Sequence, residues 1–298
     1  MSKNFKRIEI AKDGVIESLT AKGVERRYFQ FGGPGEPPAK QPTAPTDARS
    51  EFLANRAMGD WAEDTLASAL THQLDGYKAE HYGDSDRIAA GEPGFKDFYH
   101  GRLDAVRVHG KRPDLLILPQ DVECPADMAT LPTPDLDFVV EQALTAIEVR
   151  SSKFEAQTYM RVKRERANNG NISIRESLSF TVKVEDLLVV YRWMERTGCT
   201  QLYAQVFFDS VYAINFARIF EIVSSGEGFV IETPAKSQQK STIMIPITSG
   251  RQIGAFRNPP DFVPERRITQ LGRHDAFVRP VGGDLELNID ELLATIDD

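Results

Sequence analysis

The chain has 298 residues, of which 41% are hydrophobic and 27% charged, with a formal net charge of −8 and two cysteines. This composition is typical of a globular protein with a full core, and it argues against a protein that coats nucleic acid through overall positive charge. Two cysteines do not build a disulfide framework or a zinc cluster, and no apolar run approaches the ~20 residues that span a membrane. The first residues contain no apolar signal segment, so we expect a cytoplasmic protein without a membrane partner.

The N-terminal part is predicted to contain a small element followed by a linker. Residues 1–30 suggest a strand and a helix, and residues 32–46 are rich in Gly and Pro, which is typical of a linker. We therefore assign residues 1–50 to an N-terminal element and linker. Residues 50–74 then form a helix, because Ala62, Leu66, Ala69 and Leu70 recur at helical spacing. Glu63 lies on another face of this helix.

A carboxylate opens the first strongly apolar strand. Residues 76–100 are polar and Gly-rich, which predicts a loop, and residues 101–108 alternate apolar and polar side chains as a strand does. After a turn at Gly110-Lys111, Asp114 begins the apolar run 115–118. Of the three Pro-Asp pairs in the chain, only Pro113-Asp114 opens such a run; residues 119–143 form a loop that prolines interrupt.

A second carboxylate lies inside the next predicted strand, residues 145–152. Strand alternation places Ile147 and Val149 on one face and Glu148, Arg150 and Ser152 on the other. A buried strand has no structural use for a carboxylate, and two carboxylates at neighbouring strand ends can hold a hard divalent cation. The alternative is that Asp114 ends a turn and that Glu148 and Arg150 form an ion pair on a solvated face.

A basic segment follows this strand. Eight basic residues face three acids between Arg150 and Lys183, which favours a surface that follows DNA phosphates, although a solvated helix of alternating charge has the same pattern. Residues 184–197 form a helix that ends at Gly198, with Leu187, Val190, Tyr191 and Met194 on its buried face. Residues 201–208 and 211–214 pair as strands, and residues 229–232 and 242–247 suggest a hairpin.

The C-terminal part is again basic and interrupted by prolines. Its arginines either reach into a DNA groove or decorate an irregular surface, and residues 288–296 form a short terminal helix. We assign residues 51–250 to a core domain and residues 251–298 to a basic extension packed on or near that core.

The motif Pro113-Asp114 with Glu148 and Arg150 resembles the PD-(D/E)XK nuclease superfamily. The run that begins at Glu148, followed by residues 178–187, is similar to the AccI-type restriction enzymes, and the likeness covers roughly residues 95–235. The resemblance implies an α/β (α+β) fold with a restriction-endonuclease-like core, in which helices flank a mixed central sheet. The core order would be helix, three strands, helix, strand, as the predicted elements have it.

The resemblance also implies roles for individual residues. Asp114, Glu148 and the Val149 carbonyl would hold Mg²⁺, and Glu63 matches a helix carboxylate that often lies near the metal, unless it is an ordinary exposed acid. Arg150 stands where the superfamily has a Lys. Arginine cannot act as a base, so either Arg150 or Lys153 would fill the role of that Lys.

The function implied is that of a type II restriction endonuclease, a Mg²⁺-dependent enzyme that cuts double-stranded DNA at a short palindrome and leaves 5′-phosphate ends. Such an enzyme is expected to be a homodimer, with a cognate methyltransferase encoded separately and not bound as a subunit. The alternatives are a repair or recombination nuclease of the same superfamily, and a DNA-binding protein with a degenerate site. The candidate DNA-binding residues are Arg161, Lys163, Arg164, Arg166, Arg175 and Lys183.

Overall fold

The computed structural model describes residues 3–29, 50–84, 94–168, 178–233, 241–268, 272 and 274–298. Helices and strands alternate along most of these residues. The helices are α1 (Lys3–Ala21), α2 (Ser50–Gln73), α3 (Phe95–His109), α4 (Asp137–Val140), α5 (Ala156–Asn168), α6 (Val184–Thr197), α7 (Phe216–Ser225) and α8 (Ile289–Asp297). The strands are β1 (Tyr77–His81), β2 (Leu115–Pro119), β3 (Thr145–Ser151), β4 (Ser179–Lys183), β5 (Gln201–Val206), β6 (Ser210–Asn215), β7 (Val230–Glu232), β8 (Thr242–Pro246), β9 (Arg251–Asn258), β10 (Asp261–Ile268), β11 (His274–Val281) and β12 (Asp284–Leu287).

Seven strands form a mixed central sheet in the order β1-β2-β3-β5-β6-β9-β12. Neighbouring strands run antiparallel except β3 and β5, which are parallel, with Glu148 opposite Tyr203. A parallel pair needs a long crossover, and here α5, β4 and α6 lie between β3 and β5 in the chain. The predicted mixed sheet flanked by helices is therefore confirmed.

Two smaller sheets accompany the central one. Strands β4, β8 and β7 form the first, in which Val230 of β7 pairs with Met244 of β8, so the predicted hairpin is confirmed. Strands β10 and β11 form a separate two-stranded ribbon. The predicted pairing of β5 with β6 is confirmed as well.

The hydrophobic core divides into two clusters, one on each face of the central sheet. Ile147 and Val149 of β3 lie in the cluster that includes α2 and α8, whereas Ala146 lies in the cluster that includes α1, α6 and α7. Because strand side chains alternate, Glu148 projects to the side of Ala146. The predicted separation of Glu148 from Ile147 and Val149 is thus confirmed.

The two strongest predicted helices are found with the buried faces expected. The four apolar residues named in α2 are buried, as are those of α6, where Trp193 is fully buried too. Gly198 ends α6 in a left-handed conformation and donates its N–H to the Met194 carbonyl. Helix α8 starts after Asn288, whose side chain accepts a hydrogen bond from the Glu291 N–H.

Several predicted elements are wrong. Residues 101–108 belong to helix α3 and not to a strand, and the predicted loop 76–100 contains β1 and the start of α3. Residues 3–29 contain helix α1 and a 3₁₀ turn, Arg26–Tyr28, but no strand. Strands β1, β2 and β3 still lie between helices α2 and α6, and β5 follows α6, but helices α3 and α4 interrupt the predicted run of three strands.

The C-terminal surface is regular and not irregular as one alternative had it. The described residues after Gly250 include the strands β9 to β12, and β9 and β12 belong to the central sheet. The linker predicted at residues 32–46 lies outside the described residues. Of the described helices, none combines the length and apolar character needed to cross a membrane.

Candidate active site

The backbone of β3 holds the Asp114 carboxylate. Asp114 directly precedes β2, and the pairing of Leu115 with Ile147 places it beside the middle of β3. Its Oδ2 accepts a hydrogen bond of 2.7 Å from the Val149 N–H, next to Glu148. The two predicted carboxylates are therefore brought together at adjacent strands.

Glu148 is buried, and only one of its two carboxylate oxygens has partners in the described structure. The residue is 2% exposed. Its Oε1 contacts the Lys111 Nζ and lies 2.9 Å from Nη2 of Arg150. Its Oε2 is buried and has no hydrogen-bond partner among the described residues. Because a buried acceptor without a partner is costly, this oxygen is suited to receive a cation.

Arg150 is held on several sides. Its Nη2 lies 3.0 Å from Asp186 Oδ2 on α6 as well as near Glu148, and its Nε donates to the Tyr203 hydroxyl at 3.3 Å. Tyr203 stands opposite Glu148 on β5 and donates its own hydroxyl to the Thr181 carbonyl. Arg150 thus joins β3 to α6.

Lys111 is a member of the site that the sequence reasoning missed. Its backbone N–H donates to the Val189 carbonyl of α6 at 3.0 Å. The preceding Gly110 has φ of 82°, and a Cβ there would lie 2.2 Å from the Trp193 nitrogen. Only glycine permits this close approach, which directs the Lys111 ammonium to Glu148. The one local signal is the Gly110-Lys111 pair before Pro113-Asp114, and the sequence pattern predicts only a turn there.

Arg112 fixes the loop between Lys111 and Asp114. This residue is 2% exposed, and its guanidinium donates to Asp84 Oδ1 at 3.0 Å and to the Leu131 and Met128 carbonyls at 2.9 and 2.8 Å. Its Cζ also lies 4.3 Å from the centre of the Tyr82 ring. Arg112 has a structural role in this loop.

Asp114 and Glu63 are destabilised in their charged forms. Burial and then Glu148 raise the pKa of Asp114 to about 7, although Lys111 and the Val149 N–H act in the opposite direction. Burial, followed by the charges of Asp114, Asp60 and Glu148, raises the pKa of Glu63 to about 8. Crowded carboxylates in a low dielectric repel one another, so a bound cation would relieve them.

The basic groups keep their charge. Burial and Arg150 act to lower the pKa of Lys111, but Glu148, Asp186 and Asp114 outweigh them and raise it. Burial acts to raise the pKa of Asp186, yet Lys111 and Arg150 lower it on balance. Asp186 is therefore a further residue that the sequence reasoning missed: it is the counter-ion of both cations.

The donor set fits a hard divalent cation, with few protein ligands. In the described part of the chain, no group of three or more His, Cys, Asp or Glu side chains is arranged to hold a metal. Two carboxylates, Asp114 and Glu148, remain, and the Glu148 Oε2 has no hydrogen-bond partner within the described ranges. Mg²⁺ commonly uses one or two carboxylates and completes its shell with water and phosphate oxygens. The residues present are compatible with that pattern.

Of the other candidate catalytic residues, Lys153 lies away from this pair, whereas Glu63 interacts with it electrostatically. Lys153 is exposed beyond the end of β3 and lines a cavity of about 410 Å³ with Phe154, Lys163 and Arg166. Glu63 is half-buried on α2, where burial and the charges of Asp114 and Glu148 raise its pKa. The cations that contact Glu148 in the described structure are instead Lys111 and Arg150.

Most candidate DNA-binding residues lie on α5. Asp209, in the turn between β5 and β6, accepts hydrogen bonds from the Ala156 and Gln157 N–H groups at 2.7 and 2.8 Å and so anchors this helix at the sheet edge where β3 ends. Arg175 lies outside the described residues. The remaining candidates are the exposed Arg161, Arg164, Arg166 and Lys183, with Lys183 at the end of β4, and the half-buried Lys163.

The C-terminal arginines have nearby acids. Arg257 lies 3.0 Å from Glu286, Arg279 is paired with Glu265, and Arg251 lies 2.9 Å from Asp298. For these three arginines the structure favours surface ion pairs over groove contacts.

Comparison with known proteins identifies the family. The family model for AccI restriction endonuclease matches residues 15–170 and 162–297, which together span almost the whole chain. No curated protein and no solved structure matches significantly. The matched segments include both carboxylates, Lys111 and helices α5 and α6, and the chain belongs to the AccI restriction endonuclease family.

Proposed function

We propose that this protein is a type II restriction endonuclease that makes Mg²⁺-dependent double-strand cuts at a short palindromic site and leaves 5′-phosphate ends. Membership of the family makes it a DNA-cleaving hydrolase. The observation that carries the finer proposal is that Asp114 and Glu148 lie on adjacent strands. One buried Glu148 oxygen has no hydrogen-bond partner in the part of the chain that the structure describes. This arrangement is the acidic half of a PD-(D/E)XK site.

Asp114, Glu148 and the Val149 carbonyl would hold the metal. When bound, Mg²⁺ polarises the scissile phosphate and lowers the pKa of a coordinated water. The Val149 N–H fixes the orientation of the Asp114 carboxylate. Lys111 and Arg150 hold one oxygen of Glu148, and the other oxygen has no partner among the residues described. Glu63 would support the site from α2 through its charge.

Helix α5 would contact the DNA backbone. Exposed arginines attract phosphates through charge without reading bases, and α5 begins where the catalytic strand ends. Arg161, Lys163, Arg164, Arg166, Arg175 and Lys183 are the proposed phosphate contacts. Palindromic cutting of both strands requires two active sites related by a two-fold axis, so the active form would be a homodimer. It would act in the cytoplasm beside a separately encoded methyltransferase.

Digestion of a plasmid of known sequence, with and without Mg²⁺, tests this proposal. Discrete Mg²⁺-dependent fragments, with end sequencing, would give the site, the stagger and the 5′-phosphate. Asp114→Ala and Glu148→Ala should abolish cutting while DNA binding survives; cutting by both variants would overturn the metal site.

Two other outcomes point elsewhere. Structure-selective nicking would indicate a repair or recombination nuclease of the same superfamily. Tight specific binding without any cleavage would indicate a DNA-binding protein with a degenerate site. Arg150, at the position where the superfamily has a Lys, is the reason for considering this alternative.

A further inference from the structure

We infer that Lys111, and neither Arg150 nor Lys153, supplies the cation that acts on the scissile phosphate and the attacking water. The inference rests on the proposed function, because it concerns the same site. The spacing of the motif would instead place this cation at one of the positions after Glu148. The structure brings a lysine to Glu148 from the other side, out of the loop that leads into Asp114.

Arg150 is committed to structural contacts. Its guanidinium contacts Glu148, Asp186 and Tyr203 at once, at 2.9, 3.0 and 3.3 Å. To reach a phosphate, Arg150 would have to leave largely buried charged partners, and an uncompensated buried charge is strongly unfavourable. Arg150 is therefore a positioning residue that orients Glu148 and joins β3 to α6.

The Lys153 side chain lies away from Asp114 and Glu148. The Ser152 N–H still donates to the Val206 carbonyl at 2.9 Å, so the backbone stays beside β5 after β3 ends. The chain then bends at Lys153 and Phe154. After this bend the Lys153 side chain is exposed and lines the cavity near Phe154, whose lining contains neither Asp114 nor Glu148 in the described structure.

Lys111 has both the position and the free donors. Its ammonium makes its ion pair with Glu148 Oε1 in the described structure, and its backbone is held on α6 by Val189. An ammonium has three N–H donors, so contact with Glu148 leaves two for a phosphate oxygen and a water. Only Arg112 and Pro113 separate Lys111 from Asp114, and the contacts of Arg112 keep that spacing.

The step needs no proton from Lys111. The water oxygen forms a bond to phosphorus while the bond from phosphorus to the 3′ oxygen breaks, and its electron pair goes to that oxygen. The attacking water loses a proton to solvent and the 3′ oxygen gains one from solvent, which gives a 5′-phosphate and a 3′-hydroxyl. Lys111 stays protonated throughout and stabilises the charge on the phosphate oxygens.

Single-turnover cleavage of a duplex containing the recognition site tests this inference. We expect Lys111→Ala to lower the rate constant by about 100-fold or more and Lys111→Arg to retain part of the activity. Duplex affinity with Ca²⁺ in place of Mg²⁺ and the melting temperature should stay near wild type. Lys78, which lies 3.3 Å from Glu80 on β1, offers a matched control, because Lys78→Ala removes an ion-paired lysine from the same sheet away from the site.

Chemical rescue separates a lost charge from a damaged fold. Lys111→Cys treated with 2-bromoethylamine regains an ammonium on a stem of lysine length, and its cleavage should recover at least tenfold. Treated wild type controls for Cys124 and Cys199, the two native thiols. Lack of recovery in a variant that melts and binds like wild type would overturn the assignment.

The remaining outcomes also decide. Near-normal cleavage by Lys111→Ala, or a 100-fold loss in Lys153→Ala instead, would overturn the role of Lys111 alone. Failure of wild type to cut any DNA with Mg²⁺ would overturn the proposed function and this inference together.

Discussion

Charged side chains occur in two regions, at β2 and β3 and on the C-terminal strands β9 to β11. The two regions differ in whether each charged group has a partner of opposite charge. At β9 to β11, Arg257 and Arg279 each have an acid nearby at the surface. At β2 and β3, one Glu148 oxygen contacts two cations while the other has no partner in the described structure, and Asp114 has a raised pKa.

This difference in pairing separates charges that contribute to stability from charges that are suited to catalysis. Exposed pairs contribute about 0–1 kcal/mol and can be replaced cheaply. A buried carboxylate that is left unsatisfied costs stability and persists where function requires it. The predictions below test this contrast in order of expected effect.

Removal of one buried charge should give the largest effect. Glu148→Gln keeps the shape of the side chain but loses the negative charge that would hold the metal, so we expect single-turnover cleavage to fall by about 1,000-fold or more. Glu286→Gln, which removes the acid beside Arg257, is the matched control and should cleave normally. Equal loss in both variants would erase the contrast between the two regions.

Exposed charge should matter where it faces a polyanion. The triple variant Arg161→Gln, Arg164→Gln and Arg166→Gln on α5 should weaken DNA binding by about 10- to 100-fold and reduce the salt dependence of log K by about 3. Fluorescence anisotropy at several salt concentrations measures both. Unchanged affinity in the triple variant would remove α5 from the interface.

Metal binding should depend on pH through Asp114. Because burial and Glu148 raise the pKa of Asp114 to about 7, protons compete with the metal below that pH. The Mg²⁺ concentration for half-maximal cleavage should rise by up to about tenfold per pH unit between pH 7 and 6, and change less between pH 8 and 7. A half-maximal concentration that stays constant from pH 6 to 8 would contradict this.

Without metal, the active site should be a stability cost. The folded-state pKa of Asp114 is above its unfolded value, so ionisation at pH 8 opposes folding, and protonation relieves this as the pH falls from about 7 towards 4. Asp114→Asn can still accept the Val149 N–H, and we expect its melting temperature in EDTA at pH 8 to be about 2–6 °C higher. The gain should shrink at pH 5; a lower melting temperature at pH 8 would count against the raised pKa.

The smallest effect is expected at the C-terminal arginines. Arg257→Gln and Arg279→Gln should each leave the urea midpoint of unfolding close to that of wild type and leave cleavage within about twofold. Urea unfolding and plasmid digestion would measure these values. A specific loss of cleavage at Arg279 would revive the alternative that these arginines reach into a groove.

Local pattern predicted the parts of the fold with strong periodicity. Helices α2 and α6 and strands β3, β5 and β6 follow from their apolar spacing. Strand β1 has no fully buried residue, so its pattern is weak. Helix α3 was missed because the predicted strand began at Gly101, and eight residues are too few to separate a period of 2 from one of 3.6; over the full length of α3, half-buried residues recur at helical spacing.

The residues of the site also fall into two groups, those that local pattern predicts and those that it does not. The proximity of Asp114 and Glu148 followed from two adjacent apolar strands. Lys111 could not be found from spacing, because its place depends on Gly110 packing against Trp193, some 80 residues later. The engagement of Arg150 with Asp186 is also a long-range contact. Pattern within a strand says nothing about such contacts.

The buried guanidinium of Arg112 has a consequence for the kinetics of the first encounter with DNA. Its three acceptors come from separate parts of the chain, at Asp84, Met128 and Leu131, so the loop from Gly110 to Asp114 is set during folding. The ammonium of Lys111 and the carboxylate of Asp114 are then already spaced when substrate arrives, and little conformational entropy remains to be lost at that moment. One inserted or deleted residue in this loop would shift both groups at once, so its length should tolerate far less variation than that of an ordinary surface turn.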